Sequence, residues 1–583
     1  MASDETAASV DETLAEEFQS LFDSYRRIGM PLERYLGFVL APSAAFFLLT
    51  LAAAVLVDLP LMIRVPIPLL GALAFATAAF YPRIVVSNRR TQLNNRFHLL
   101  VTHMTVLATT NIDRMQVFRT LADEEEYGEL AEEMHRIVQL VDSWNQSLDD
   151  ACRRRAKEVP SEALSDFLDR LAYTIGAGQS LEDYLVTEQQ QIIENYATVY
   201  ESSLDSVEVM KDLYLSMILS MTFALVFAIV LPVLTGTDPT MTVGAVIVMY
   251  IFVQSGFFLA IRSVAPYDPV WYHPPDRTPA VDARITTSLI VGVSLTVLLL
   301  FISIGGILGV SPVGLGTLVP LFGNPLPFPL YAAIPLTPLA IPGFVIRREE
   351  EAIKARDDEF PSFVRALGAT EGAKQSTTSQ VLLTLREKDF GDLTRKVDDL
   401  YKRLNMRIET VDAWRWFTAD CRSYLIQTFS EMYLMGREMG GSPKQLGELI
   451  AENMNEVQQL RQQRRQVTVT LIGLLYGITA ASTFAFYIGL QVVNILSSLT
   501  LNLSSSGQFD AGNLINTSVY NIPLLEFLLI VLIMFSAVLS ALMIRTIDGG
   551  HKMNAYIHFV ALSWIAALIS IVTKSLVDVF LAV

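Results

Sequence analysis

Three groups of residues in this 583-residue chain could, by type and spacing, do chemistry. The stretch Gly368-Ala369-Thr370-Glu371-Gly372-Ala373-Lys374 has the outline of a phosphate loop, but its glycines stand too close together. No Lys-Ser/Thr pair follows the second Gly, and no buried strand precedes the first. The six histidines, His98, His103, His135, His273, His551 and His558, include no i, i+4 pair with a carboxylate between, so no metal centre is expected. Cys152 and Cys421 have no neighbours that spell a nucleophile, which fits structural thiols in a reducing compartment. No catalytic residue and no cofactor site is expected. The chemistry left is that of recognition.

Two features could carry it. Arg395, Lys396, Lys402, Arg403 and Arg407 fall at helical offsets, so one helix side would present a basic strip, and Arg153-Arg154-Arg155 forms a second cluster. Both are candidates for docking an acidic protein surface, although an ordinary solvated helix face has the same pattern. Arg461, Arg464 and Arg465, just before an apolar run, are expected to anchor it at inner headgroups. The second feature is a turn. Met435 to Ile450 reads as a helix ending at Gly436, Gly440 and Gly441, followed by a polar turn and a new amphipathic helix. Thr174 to Val186 repeats it more faintly, with Gly176 and Gly178.

These features sit in an apolar chain. The hydrophobic fraction is 52% and the mean hydropathy +0.40, which excludes a soluble enzyme of this length and defines an all-α polytopic membrane protein. Apolar runs that could cross a bilayer fall at 36–57, 65–82, 213–233, 242–262, 286–309, 328–346, 467–490, 522–544 and 556–573, about nine spans. The sixth carries Pro335, Pro338 and Pro342, so its neighbours must satisfy the carbonyls that proline frees. Within or beside the spans, Glu526 and Lys574 lie near span ends, where they can snorkel, and Gln254 is placed for a helix–helix hydrogen bond.

Cations crowd one side of the predicted spans, whereas the connections at 58–64, 234–241, 310–327 and 491–521 hold only Arg64. The positive-inside rule then puts the N-terminus in the cytoplasm and, after an odd number of spans, the C-terminus outside. The first 35 residues are polar and acidic, without the apolar core of a signal peptide. The net charge of −17, with 33 Arg against 10 Lys, disfavours nucleic acid as a partner and fits the acidic, Lys-poor surface of a halophilic archaeon. In the outer loop 491–521, Asn502 and Asn516 begin glycosylation sequons.

The expected organisation is a cytoplasmic segment 1–35, a transmembrane hairpin 36–82, a cytoplasmic helical bundle 83–212, four spans in 213–346, a second bundle 347–466, and three spans in 467–583. The first bundle holds 13 basic and 23 acidic residues, the second 20 of each. An offset of 263 residues pairs Phe97 with Phe360, Tyr127-Gly128-Glu129-Leu130 with Phe390-Gly391-Asp392-Leu393, and Gly178 with Gly441; a two-residue slip then aligns Leu185 with Ile450. A unit of span, bundle and span therefore occurs twice.

A bundle closed by Gly-Arg-Glu-Met-Gly-Gly, Gly436 to Gly441, and running directly into a span resembles the type II secretion system F domain. Two such domains among nine spans resemble the assembly platforms of the archaellum and of archaeal type IV pili. The first copy departs from the pattern: it lacks the counterpart of Glu438, and Thr109-Thr110 stands where the second copy has Glu371-Gly372. The resemblance implies a platform that nucleates a filament of pilin-like subunits, is engaged by a hexameric cytoplasmic ATPase and its adaptors, and supports assembly or rotation. It leaves a homodimer open, and an adhesion-pilus platform is the alternative within the family. A secondary transporter with duplicated halves is the reading from another class, against which the repeats centre on soluble bundles and midplane charges are sparse.

Overall fold

A computed structural model describes residues 39–56, 75, 89–110, 112–235, 239–274, 280–307, 315–318, 326–374, 378–505 and 521–581. The described residues are almost wholly helical, with one isolated bridge between Trp271 and Ser423. The chain divides into two compact units, 1–192 and 193–583.

In the first unit, α1 (Ala41–Leu56) is followed by α2 (Phe97–Ala108), α3 (Arg114–Ala122), α4 (Glu129–Asp142), α5 (Leu148–Glu158), α6 (Glu162–Gly176) and the start of α7 (Leu181–Thr235). Side-chain caps mark where these helices begin. Asp113 accepts from the Met115 amide, Ser147 from Asp150 and Ser161 from Leu164, each satisfying an amide that the first turn leaves open. Apolar residues at helical spacing then close a core of Leu100, Met104, Phe118, Leu130, Met134, Ile137, Phe167 and Leu171.

The second unit takes up α7 from Ile193. It continues with α8 (Pro239–Val264), α9 (Ala280–Ile307), α10 (Leu315–Leu318), α11 (Leu330–Leu336), α12 (Ala340–Lys374), α13 (Thr378–Leu385), α14 (Thr394–Asn405), α15 (Thr410–Cys421), α16 (Tyr424–Glu438), α17 (Pro443–Ser505), α18 (Ile522–Asp548) and α19 (Ala555–Leu581). Among the described residues, seven helices are long and apolar enough to cross a membrane. They coincide with the third to ninth predicted spans. The first predicted span appears as the 16-residue α1, and the second lies outside the described residues except for residue 75. Helix α17 runs on through Ser505, so Asn502 is helical and the predicted outer loop begins later than 491, while Asn516 lies outside the described residues.

Apolar side chains of α7, α8, α17, α18 and α19 form one core, including Tyr214, Ile229, Ile247, Leu475, Leu529 and Met543. Helix α9 instead leaves Ile290, Val297, Phe301 and Ile304 uncovered, an apolar face of the kind a membrane-spanning helix turns to lipid. Gln254 donates to Tyr214 Oη (3.2 Å) and Ser536 Oγ (2.7 Å), the interhelical bond its sequence position anticipates.

Prolines interrupt three of these helices, and each leaves the carbonyl four residues earlier without its amide. Across from Pro335, the Tyr331 carbonyl accepts from Ser303 Oγ at 2.8 Å. Thr242 Oγ1 reaches the Ala228 carbonyl, freed by Pro232, at 3.4 Å. Gln458 donates to the Asp357 carbonyl, freed by Pro361. A side chain from another segment thus takes the place of the missing donor in all three cases.

The cations before the seventh predicted span are not all headgroup anchors, as their position had implied. Arg461 is half-buried and forks onto Asp268 with both contacts at 2.7 Å, while its other nitrogen reaches Asp357 at 2.8 Å. Arg464 is buried, donating to the Ile547 and Thr546 carbonyls at the end of α18. Only Arg465 stays exposed. Two carboxylates and an open helix terminus recruit these guanidiniums inward, because each needs a donor that water no longer supplies. Glu350 makes a neighbouring joint, accepting from Trp271 Nε1 (3.2 Å) and the His551 amide (2.9 Å).

Two measurements test this packing. Ser303→Ala should cost about 1–3 kcal/mol by orphaning a carbonyl, and in a Pro335→Ala background, where residue 335 regains its amide, the same change should cost almost nothing. A double-mutant cycle of thermal unfolding in detergent reads the difference. Burial, opposed by Arg461, pushes the Asp357 carboxyl up to about 6. An unfolded Asp titrates near 4, so the folded chain binds the extra proton between those values and stability falls as pH rises through the window. Asp357→Asn should flatten that slope in a pH series of unfolding temperatures.

Candidate partner interface

Both Gly-containing turns close by the same backbone geometry. At the end of α16, the Gly441 amide donates to the Gly436 carbonyl at 2.8 Å and the Gly440 amide to Arg437 at 3.1 Å. At the end of α6, Gln179 donates to Thr174 at 3.1 Å and Gly178 to Ile175 at 3.0 Å. These are paired Schellman bonds, and their left-handed residues are Gly440 (φ +88°) and Gly178 (φ +74°). Gly178 therefore corresponds to Gly440 rather than Gly441, and the register of the repeat here is one residue shorter than the sequence pairing had it. Upstream the 263-residue pairing has a matching backbone feature, since Gly128 and Gly391 are both left-handed at φ +53° and +54°.

What holds the two turns differs. Arg437 donates to the Gly441 carbonyl (2.9 Å) and to the buried carboxylate of Glu371 (3.0 Å), which also accepts from Tyr433 Oη (2.6 Å) and Thr378 Oγ1 (3.1 Å). Glu438 is exposed. In the shorter register, Thr109 and Ile175 stand at the places of Glu371 and Arg437, so the first copy lacks both partners of the pair. Gly176 lies at the same end of its bundle, where a Cβ would come 3.4 Å from Asp149 Oδ2. The residues that earlier resembled a phosphate loop have another use: a Cβ on Gly368 would lie 2.3 Å from the Pro443 carbonyl oxygen, and one on Gly447 would lie 2.8 Å from that of Val364. Glycine at both positions lets α12 and the start of α17 cross backbone to backbone.

The basic strip is divided by the fold. Helix α14 ends at Asn405, and Arg407 sits beyond it in the left-handed region at φ +60°. Arg403 turns inward to pair with Asp420 and to lie 5.8 Å from the Trp416 ring, whereas Lys402 is exposed but shared between Asp398 (2.7 Å) and Asp399 (3.3 Å). Arg395, Lys396 and Arg407 are at least partly exposed and make no ion pair among the described residues. In the first bundle, Arg153 and Arg154 are exposed in local pairs with Asp150 and Glu158. Arg155 belongs to the interior, reaching the buried Glu133 at 2.6 Å alongside Arg89 (3.0 Å) and Arg136 (2.6 Å). Sequence reading missed Glu133 and Glu371 as anchors; their signal was an acid at an apolar helical position.

Long apolar helices joined to charged, glycine-capped bundles define an all-α multi-pass membrane protein. Residues 100–230 match the type II secretion system protein F family. The chain is 32% identical over 567 residues to flagella accessory protein J of Methanocaldococcus jannaschii, covering 97% of this chain and 98% of that one. It is 31% identical over 566 residues to flagella accessory protein J of Methanococcus voltae, covering 95% and 98%. No solved structure matches. The chain belongs to the flagella accessory protein J family, membrane platforms of archaellum and type IV pilus-like assembly.

Removing one partner of the buried pair should be worse than removing both. Arg437→Ala should cost about 3–5 kcal/mol by stranding the Glu371 charge, and Glu371→Gln added to it should recover a large part of the loss. Unfolding temperatures of the purified variants in detergent check the order.

Proposed function

We propose that this chain is the platform on which a hexameric cytoplasmic ATPase, with its adaptors, drives assembly of pilin-like subunits into an archaellum, and that the second bundle is the ATPase's docking surface. The observation that carries the reading is the set of cations Arg395 and Arg407, exposed, and Lys396, half-exposed, around α14, none of them in an ion pair among the described residues. Unpaired surface charge steers and orients an acidic partner at little folding cost. Lys402 adds to this surface when its two aspartates are offered a competing cation; Arg403 supports it from within. Arg153 and Arg154 form a smaller basic edge on the first bundle.

The same reading takes residues 83–212 and 347–466 as two copies of the F domain, both cytoplasmic, with the N-terminus inside and the C-terminus outside, as the Arg distribution favours. The acidic, Lys-poor composition supports a halophilic source. ATPase turnover would displace the second bundle, and the spans, continuous with its helices, would pass the displacement to the filament base, by assembly or rotation.

The triple charge reversal Arg395→Glu, Lys396→Glu and Arg407→Glu should weaken ATPase binding to the chain in nanodiscs at least tenfold and abolish filaments, with the unfolding temperature unchanged. Arg403→Glu, by contrast, should lower that temperature, because it places two carboxylates together. Unaltered ATPase affinity in the triple variant would remove α14 from the interface.

A further inference from the structure

The loops that follow α4 and α14 share a feature that the turns at Gly178 and Gly440 do not. In the 262-residue register Trp144 corresponds to Met406, and each immediately precedes a left-handed residue, Asn145 (φ +52°) and Arg407 (φ +60°). Both large apolar side chains point out of their bundles, Trp144 being 71% exposed and Met406 67% exposed. Exposure of one such residue is ordinary; its occurrence at one place in both copies, with different residue types, is not explained by packing.

The charges around the two loops are opposite. Lys402, Arg403 and Arg407 flank Met406. Trp144 stands just before α5, whose first turn carries Asp149 and Asp150. The Asp149 carboxylate lies beside Gly176 at the end of α6, and one turn back on α6 is Tyr173, 74% exposed. Below Tyr173 the exposed side of α6 continues through Asp169, Asp166 and Glu162, at spacings of four, three and four residues. Asp166 and Asp169 make no ion pair among the described residues, whereas Glu162 pairs with Arg90. The cations around this end are engaged: Arg153 with Asp150 at 3.5 Å, Arg170 with Glu188, Arg119 with Asp142 at 2.8 Å, and Arg114 with the Gln179 carbonyl at 3.1 Å.

We infer that Trp144 and Tyr173, with the acidic side of α6, form a docking surface for an arginine-bearing face of a soluble protein partner. Guanidinium groups suit it on two counts, since they stack on exposed indole and phenol rings and pair with the carboxylates below them. A bilayer suits it poorly, because the carboxylates would face anionic headgroups. The surface is separate from the cations of α14 and does not depend on what binds them. The two bundles thus use one loop position in opposite electrostatic settings, to hold surfaces of opposite charge.

The test places p-benzoylphenylalanine at residue 144 or 173 of the full chain in cells that build the filament, with Lys157 as the control position. Irradiation should give a protein adduct from 144 and 173 whose crosslinked peptide contains clustered arginines. Asp166→Lys with Asp169→Lys should cut the adduct yield at least tenfold at unchanged chain abundance. Trp144→Ser with Tyr173→Ser should reduce filament number at least tenfold, while ATPase binding through α14 stays intact. Adducts only to lipid or to another copy of the chain, yields at 144 and 173 no higher than at 157, yields insensitive to the charge reversal, or normal filaments in the double serine variant would each overturn the inference.

Discussion

A single guanidinium, that of Arg461, is shared between Asp268 and Asp357, and three chain segments depend on it. Asp268 lies just after α8, Asp357 on α12 and Arg461 on α17, each within a few turns of an apolar run. A buried ion pair is weak evidence of net stability, since desolvation offsets much of the Coulomb gain. Its geometric effect is stronger. None of the three segments can shift without leaving a buried charge unpaired, a cost of several kcal/mol. Arg464 extends the joint to the end of α18, and Glu350 ties Trp271 to the α18–α19 connection. Gly549 and Gly550 fit that connection because a Cβ on either would meet Arg464 or Glu350 within 3 Å.

The same economy governs the backbone inside the spans. A proline in a transmembrane helix relaxes the ladder at one point and hands a carbonyl to whatever donor is near. Ser303 and Thr242 supply those donors from other segments, and Gln458 does the same at Pro361, outside the predicted span, so each proline becomes a cross-link between helices instead of a weak point. Helix α9 shows the consequence. It leaves much of its apolar surface to lipid, yet Ser303 bonds it to α11, and Gly292 lets it approach Pro342 and the Pro338 carbonyl more closely than any side chain would permit.

Hydropathy made the spans legible because lipid demands long apolar runs whatever the fold, and seven of them emerge where the runs lie among the described residues. The pairing of Tyr127-Gly128 with Phe390-Gly391 falls on two glycines that both take positive φ. Charge was not legible. Arg461 looks like a headgroup anchor in a linear reading because its partner Asp268 is 193 residues away. Arg403 and Arg155 look like surface cations for the same reason, since Asp420 and Glu133 meet them only after folding. Gly368 and Gly447 were hidden too: a glycine that permits a helix crossing has no local pattern, and only the close approach of the two backbones reveals the need.

The two bundles separate what a scaffold must keep from what it may change. Three backbone positions with φ above zero recur between the bundles, Gly128 and Gly391, Gly178 and Gly440, Asn145 and Arg407, whereas left-handed Arg422 has Pro160 at its place in the 262-residue register. The polar supports beneath them do not match. Glu371 and Arg437 brace one turn through an ion pair, while the other lacks that pair and takes Arg114, from α3, on its Gln179 carbonyl at 3.1 Å. The buried carboxylate of the first copy is instead Glu133, held by three arginines from different parts of the bundle. Each copy therefore holds its fold with a differently placed charge, which leaves the outer surface free to be acidic on one bundle and basic around α14 on the other. Such a difference costs little stability because the turn geometry is alike and the buried charges are satisfied separately. The two bundles thereby combine like turns with unlike faces.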